Sequence, residues 1–292
     1  MPVIDLHTHS LCSDGALSPD ALVRRAAAAG VHVLALTDHD AITGLPEAAA
    51  TAAEVGLRLL PGLELSTMWR GLSVHIVGLG IDTAHAGLLE GLDRQANARG
   101  ERAERIAARL EKLRLAGAWE GALALAGNVP NRISRTHFSQ WLLAQGHVSS
   151  LQGAFDKYLG NGKPADVAMP WVELPEAVAL IRNAGGTAVL AHPGRYSLTR
   201  TKLRLLITAF CEAGGEAMEV ATATEKPDMV RYLGQLAGDN GLEASQGSDF
   251  HGPHMPWIQL GRFPALPAGC RPVWRRWFSD TDFPEQLPLL QG

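Results

Sequence analysis

The chain has 292 residues, 46% hydrophobic and 19% charged, enough for one large domain or two average ones with a sizeable core. A formal charge of −4 removes any general electrostatic case for duplex nucleic acid or a membrane surface, although a local basic pocket is invisible in that total. Cys12, Cys211 and Cys270 form no zinc-ribbon or disulfide pattern, MPVIDLHTHS carries no basic n-region, and no stretch reaches the ~18 apolar residues of a membrane span, so a cytoplasmic location is expected.

Val3–His9 reads as a buried strand, and Ser18-Pro19 opens a helix, Pro19–Ala29, closed by Gly30. Val31–Thr37 is a second strand, Pro46–Val55 a second helix ending at Gly56, and Leu57–Glu64 and Leu72–Ile81 two further strands. Repeated βα units with nearly all-apolar strands predict a parallel sheet covered on both faces, open or closed into a barrel. Leu88, Leu92, Ile106, Leu110 and Leu113 recur at helical spacing and predict a long helix from about Thr83 to Leu115. Residues 116–170 break the rhythm. Their helical pieces, Thr136–Ala144 and Leu151–Leu159, read as an inserted small subdomain. The alternation then returns with helix Glu173–Ala184, strand Thr187–Ala191, helix Thr201–Ala213, strand Glu216–Val220, helix Pro227–Asn240 and strand Leu242–Gly247. The tail from His254, with Trp257, Trp274 and Trp277, is expected to pack along the outside of the barrel.

Nine metal-capable side chains stand where apolar runs give way to turns: His7, His9, Asp14, His39, Glu64, His75, His192, Asp249 and His251. Imidazoles and carboxylates recurring at strand ends point to divalent metals at one end of a sheet or barrel. His7 and His9 lie two apart at the end of a strand, so both leave one face and can grip one ion, and Asp249 and His251 are again two apart at a strand end. Glu64, inside an apolar run, must be paired with an arginine or bound to metal. Asp14 also fits an ordinary Asp-Gly turn, and His75 and His192 also fit satisfied core histidines. Asp38 and Asp40, flanking His39, read as partners that orient imidazoles or the loop.

These motifs, DLHTHS at 5–10, SDG at 13–15, LTDHD at 36–40, PGLELS at 61–66, AHPGR at 191–195 and GSDFHG at 247–252, resemble the PHP superfamily of phosphoesterases across nearly the whole chain. The resemblance implies a distorted (β/α)7 barrel, with residues 1–99 and 171–292 forming the barrel and 100–170 an inserted helical cap over the substrate. It also implies a two- or three-metal site. His7, His9, Glu64 and Asp249 would hold the first ion, Glu64 with His75 and His192 the second, and Asp14, His39 and His251 the third. The stretches at 131–138, 155–159 and 162–165 resemble a bacterial subgroup acting on nucleotides: 3′,5′-nucleoside bisphosphate phosphatases and 5′-to-3′ exoribonucleases.

Two cations bridged by a carboxylate lower the pKa of a shared water, supplying hydroxide near neutral pH, and neutralise phosphoryl charge. No G-x-S-x-G elbow, P-loop or catalytic cysteine signature competes with that chemistry. Three ions are expected, Mn²⁺ first, with Fe²⁺ or Zn²⁺ also suited to thiolate-free ligation. A phosphate substrate needs further cationic donors. Arg135 and Arg195 are the leading candidates, then Arg102, followed by Arg99, Arg105, Ser134, His137 and Lys163. The helix arginines also fit a solvated face paired with Glu101 and Glu104. His39 and His251 are candidates to contact phosphate. The expected substrate is a small nucleotide, most readily the 3′-phosphate of a nucleoside 3′,5′-bisphosphate, or a short oligoribonucleotide trimmed from its 5′ end. No duplex DNA, membrane or obligatory protein partner is expected. From another class, a non-catalytic metal-binding module is opposed by the complete ligand set.

Overall fold

A computed structural model describes residues 2–168, 171–279 and 282. Strands β1 (Ile4–Asp5), β2 (Val33–Leu36) and β3 (Arg58–Trp69) lie parallel, joined through helices α1 (Pro19–Ala28) and α2 (Leu45–Val55). Ser18 caps α1 by accepting the Ala21 N–H, and Pro19 occupies the first turn, as its sequence predicts.

The expected all-parallel sheet fails at β4 (Leu72–Leu79), which runs antiparallel to β3. Trp69 pairs with Leu72, leaving only Arg70 and Gly71, at φ 49° and 79°, to make the turn. A two-residue connection with both φ values positive closes an antiparallel hairpin, whereas a parallel neighbour needs a crossover.

The long helix α3 (Ala86–Lys112) then leads into α4 (Ala118–Leu125), α5 (Arg135–Ala144) and the short α6 (Leu151–Ala154). Ile106, Leu110, Phe138, Leu142 and Leu159 build a separate apolar core under these helices. The first turns of α3 instead give Leu88 and Leu92 to the barrel's outer layer. The expected boundary at 99/100 thus falls inside one continuous helix that serves both cores.

The chain returns through β5 (Val172–Glu173), which pairs with β3, and α7 (Leu174–Asn183). Strand β6 (Thr187–Leu190) is antiparallel to β4, and β7 (Ala217–Thr222) and β8 (Glu243–Gly247) continue in parallel through α8 (Arg200–Glu212) and α9 (Pro227–Asp239). The Leu6 N–H donates to the Gln246 carbonyl at 3.1 Å, bringing β8 back beside β1 and nearly closing a barrel.

Period-two alternation sorts each strand. Val33, Ala35, Val77, Leu79, Val189 and Ala217 fill the barrel, while Leu34, Leu36, Ile76, Leu190 and Met218 pack beneath the helices. The tail corrects another expectation. Ile258 and Leu260 do join the outer layer, but Val273 is fully buried among the inward-facing residues, with Trp274, Trp277 and Phe278 packed behind it. These groups cover the apolar end of the barrel where Ile4, Val33 and Ala217 begin their strands, an end that would otherwise meet water. The parts of the expected tail at 280–281 and 283–292 lie outside the described residues.

Candidate metal centre

At the opposite end, all nine expected ligands converge. His7 Nε2 lies 3.1 Å from His9 Nε2, 3.2 Å from Glu64 Oε2 and 3.4 Å from Asp249 Oδ1. His9 Nε2 lies 3.3 Å from the same Glu64 oxygen and 3.1 Å from the same Asp249 oxygen. Donors held tetrahedrally around a cation at about 2.0–2.1 Å stand roughly 3.3–3.4 Å apart, so this spacing suits one ion. Glu64 turns its other oxygen, Oε1, to His75 Nδ1 and His192 Nε2, each at 3.0 Å. One carboxylate therefore faces two donor groups. Asp14 and His251 approach at 3.3 Å, and His39 and His9 join them in a third group. His39 Nδ1 also lies 3.1 Å from Glu64 Oε2, so this group touches Glu64 too, beyond the expected grouping.

The chain folds this way because a second set of buried acids holds the loops. Asp38 accepts the Ser10 N–H at 2.7 Å and both the Ser10 and Ser13 hydroxyls at 2.6 Å, fixing the segment between His9 and Asp14. It orients the loop and no imidazole. Asp40 accepts the Ser66 N–H at 2.8 Å, beyond Glu64, and pairs with Arg99. Asp5 accepts the N–H groups of Ser248 and Gly261, both at 2.8 Å, beside Asp249. Gly15 and Gly247 permit close approach: a Cβ would stand 2.4 Å from the His9 carbonyl oxygen and 2.4 Å from the His7 Cβ, respectively.

Glu219 was not among the expected site residues. It is 1% exposed, its Oε1 lies 2.8 Å from His7 Nδ1, and its Oε2 accepts the His192 N–H at 2.6 Å. It orients His7 from behind, so that Nε2 points to the other donors. The signal was present: Glu219 interrupts an apolar strand as Glu64 does and sits two residues from the inward-facing Ala217.

Burial opposes charge throughout the cluster, and the partners decide each outcome. Against burial, Glu219, Glu64 and Asp249 hold His7 well above the ordinary imidazole range, and Asp249 and Glu64 raise His9 to about 10. Burial instead pushes His39 down to about 3, so it stands neutral with a free lone pair. Burial would raise Glu64 and Asp249, but the surrounding imidazoles hold both well below the usual carboxylate range. Glu64 Oε2, Asp14 Oδ1 and His39 Nδ1 are buried without a hydrogen bond although other donors face them. Convergent, unbonded lone pairs of nitrogen and oxygen, with no thiolate, fit divalent cations.

Among the expected substrate residues, Arg99, Arg102, Ser134 and Arg135 line a cavity of about 150 Å³ that also exposes Asp14, His39 and His75. Arg195 does not line that cavity and is paired with Asp249. Three more candidates are elsewhere. Arg105 is exposed and lines no part of that cavity, because three-residue steps drift about 60° backwards around a helix and carry it off the face of Arg99. Lys163 is exposed on a turn, its N–H bonded to the Gly160 carbonyl. His137 is buried and closes the start of α5, its Nδ1 accepting the Ser134 N–H at 3.0 Å. His39 is in the cavity wall, whereas His251 is not.

Residues 5–160 match the PHP domain family. A protein of Chromobacterium violaceum named 3',5'-nucleoside bisphosphate phosphatase is 46% identical over 275 residues, 94% of this chain and 96% of its own. A protein of Escherichia coli named 5'-3' exoribonuclease Rnm is 45% identical over 277 residues, 94% of each chain. A solved structure from Chromobacterium violaceum, described as an amidohydrolase with bound sulfate and no metal, has a TM-score of 0.89 at 46% identity, covering 94% of this chain and 95% of that one. With more than half its length matching the family and its relatives matching throughout, the chain belongs to the PHP domain family.

Proposed function

We propose that this protein is a metal-dependent phosphoesterase that removes the 3′-phosphate of a nucleoside 3′,5′-bisphosphate. The observation that carries the reading is the cavity with two chemically distinct walls, imidazoles and a carboxylate on one and guanidiniums on the other. Two phosphates on one nucleotide match those walls. Arg99 is already paired with Asp40, which leaves Arg102 and Arg135 for the second phosphate. Burial, with Arg135 and Arg99 crowded beside it, lowers Arg102 to about 10, and burial also lowers Arg135. A phosphate dianion relieves that crowding and accepts the fork geometry of arginine.

In this reading His7, His9, Glu64 and Asp249 hold one cation, Glu64, His75 and His192 a second, and Asp14, His39 and His251 a third. Manganese is the first choice, with iron or zinc equally compatible with the ligand types. When bound, such cations lower the pKa of water and offset charge on the phosphoryl oxygens. Arg102, Arg135 and Ser134 anchor the 5′-phosphate, setting the 3′-phosphate against the imidazole–carboxylate wall. His39 contacts that phosphate. The cap is the helical insertion whose separate core runs from Ala103 to Val167, entered through the continuous helix α3. No helix among the described residues is long and apolar enough to cross a membrane. The three cysteines are free, which suits a reducing, cytoplasmic location.

The name of the Escherichia coli relative supports a second reading, 5′-to-3′ trimming of short oligoribonucleotides. Turnover of adenosine 3′,5′-bisphosphate, a 5′-phosphorylated RNA oligomer and histidinol phosphate by Mn²⁺-loaded protein separates the possibilities. Arg135→Ala is expected to lower kcat/KM for the bisphosphate by about 10- to 100-fold, the worth of a charge-assisted hydrogen bond, with metal content unchanged. Equal kinetics in variant and wild type would remove Arg135 from the substrate site.

A further inference from the structure

His75 and His192, the imidazoles assigned to the second ion, stand on strands that part beside them. The Ala191 N–H donates to the His75 carbonyl at 3.1 Å, one half of a pair that an antiparallel ladder completes with a return bond. The return donor, the His75 N–H, goes instead to the phenol oxygen of Tyr196 at 2.8 Å. After Ala191 the chain leaves the sheet. His192 takes φ 30°, a tight turn follows over Pro193–Arg195, and the Arg195 N–H closes on the His192 carbonyl at 2.9 Å. Tyr196 comes next and is folded back, its ring edge-on to the His192 imidazole with centroids 5.6 Å apart.

The imidazoles of the centre are held in different ways. Glu219 grips the rear nitrogen of His7 at 2.8 Å, whereas His192 gives that acid its backbone N–H. The ring of His192 faces Glu64 through Nε2 at 3.0 Å, while its Nδ1 is buried without a hydrogen bond. An imidazole tied at one nitrogen keeps its direction only if something packs against the ring. Tyr196 meets both ligands, the backbone of His75 and the ring of His192.

We propose that Tyr196 is a positioning residue for the second ion: its oxygen holds β4 at His75 and its ring holds the tilt of His192, so that both imidazoles meet one oxygen of Glu64. The proposal rests on the metal-dependent reading above. Both rings reach Glu64 Oε1 at 3.0 Å, although they come from the point where their two strands stop pairing with one another. A phenol suits this place, because it gives the His75 N–H an acceptor without adding a negative charge beside Glu64 and Glu219. Apart from Glu64, the ligands of the other two ions stand on other segments, at 7–14, 39 and 249–251. Loss of the phenol should therefore fall on one ion and spare the other two.

Tyr196→Phe keeps the ring and removes the oxygen, and Tyr196→Leu removes both. Each variant is stripped with chelator and titrated calorimetrically with Mn²⁺, beside His192→Ala, which identifies the second site by deleting it. In Tyr196→Phe that one site should weaken by about tenfold, and in Tyr196→Leu by more, with the remaining sites within twofold of wild type. Adding Tyr196→Phe to His192→Ala should cost no further affinity, because the site it serves is already gone. Equal weakening at every site would make Tyr196 a packing residue and overturn the proposal, as would failure of both variants to fold. Weakening of a site that His192→Ala retains, or no change beyond twofold in either variant, also overturns it and leaves the metal centre standing. A wild-type protein that takes up no Mn²⁺ removes the metal-dependent reading beneath it.

Discussion

Glu219→Gln isolates what a buried carboxylate behind the metal centre does. The glutamate accepts twice, from His7 Nδ1–H through one oxygen at 2.8 Å and from the His192 N–H through the other at 2.6 Å. Glutamine keeps the shape but turns one oxygen into an NH₂, so one of those two donors must face another donor. Leaving a buried donor unmatched costs about 1–3 kcal/mol, and replacing a charged acceptor adds to that. Each kcal/mol lost lowers Tm by roughly 2–4 °C in a chain of this size class. The sharper effect falls on the ion. With Nδ1–H held from behind, His7 Nε2 points to His9, Glu64 and Asp249. Loss of such a partner commonly weakens metal affinity by 10- to 100-fold. Calorimetric titration of chelator-stripped protein with Mn²⁺ should therefore give a Kd raised by that factor, with kcat largely recovered at saturating metal. A folded variant that binds Mn²⁺ within twofold of wild type would show that His7 keeps its orientation unaided and would refute the reasoning.

Glu64→Ala removes the carboxylate that faces two donor groups, so elemental analysis should show at least two ions lost and activity reduced to background. Loss of a single ion would argue against bridging. Phe138→Ala, fully buried in the separate core of the insertion, should cost about 3–5 kcal/mol in urea unfolding. It should raise KM for the bisphosphate while leaving Mn²⁺ content intact, because the ligands stand on the barrel. Added Mn²⁺ at a hundred times its Kd should stabilise the protein by about 2.7 kcal/mol per site, read as a Tm shift that a chelator reverses. No shift would mean the donors converge without binding an ion.

Most of the centre was legible because its residues break local rules. A histidine or glutamate inside a run such as LLPGLELS or SVHIVG has no place in a core unless something binds it, and the strand-end spacing of His7 with His9 fixes which face they share. The alternation of βα units likewise carried the barrel. What failed depended on angle or distance in three dimensions. The antiparallel β4 was hidden because periodicity does not encode strand direction, although the short stretch between the expected strands Leu57–Glu64 and Leu72–Ile81 already left too little chain for a crossover. Arg105 was misplaced because a three-residue repeat resembles one helical face over a single step and leaves it over two. His137 looked like a substrate contact beside Ser134 and Arg135, whereas a helix start makes the same use of a ring nitrogen. Val273 and its tryptophans gave no sign of direction, since an apolar tail covers the side or the end of a barrel equally well.

The buried acids of this protein divide into two layers with different work. Glu64, Asp14 and Asp249 turn their oxygens toward imidazoles. Behind them, Asp5, Asp38, Asp40 and Glu219 turn theirs mainly to backbone N–H groups and hydroxyls of the segments that carry the first layer, with Glu219 also on the rear nitrogen of His7 and Asp40 on Arg99. Local backbone strain accompanies these layers. His192 at φ 30°, Asp249 at φ 54° and Asp40 at φ 49° are non-glycine residues in left-handed conformations, each costing on the order of 1–2 kcal/mol. All three are held by named bonds: the His192 N–H by Glu219 at 2.6 Å, the Asp249 N–H by the His7 carbonyl at 2.8 Å, and the Asp40 N–H by the Glu64 carbonyl at 2.9 Å. Glu64 and Asp249 repel one another, yet their positions are fixed from behind by bonds that do not depend on what lies between them. Cations entering this centre meet donors already in place, so their binding free energy goes into the site's chemistry instead of into ordering loops.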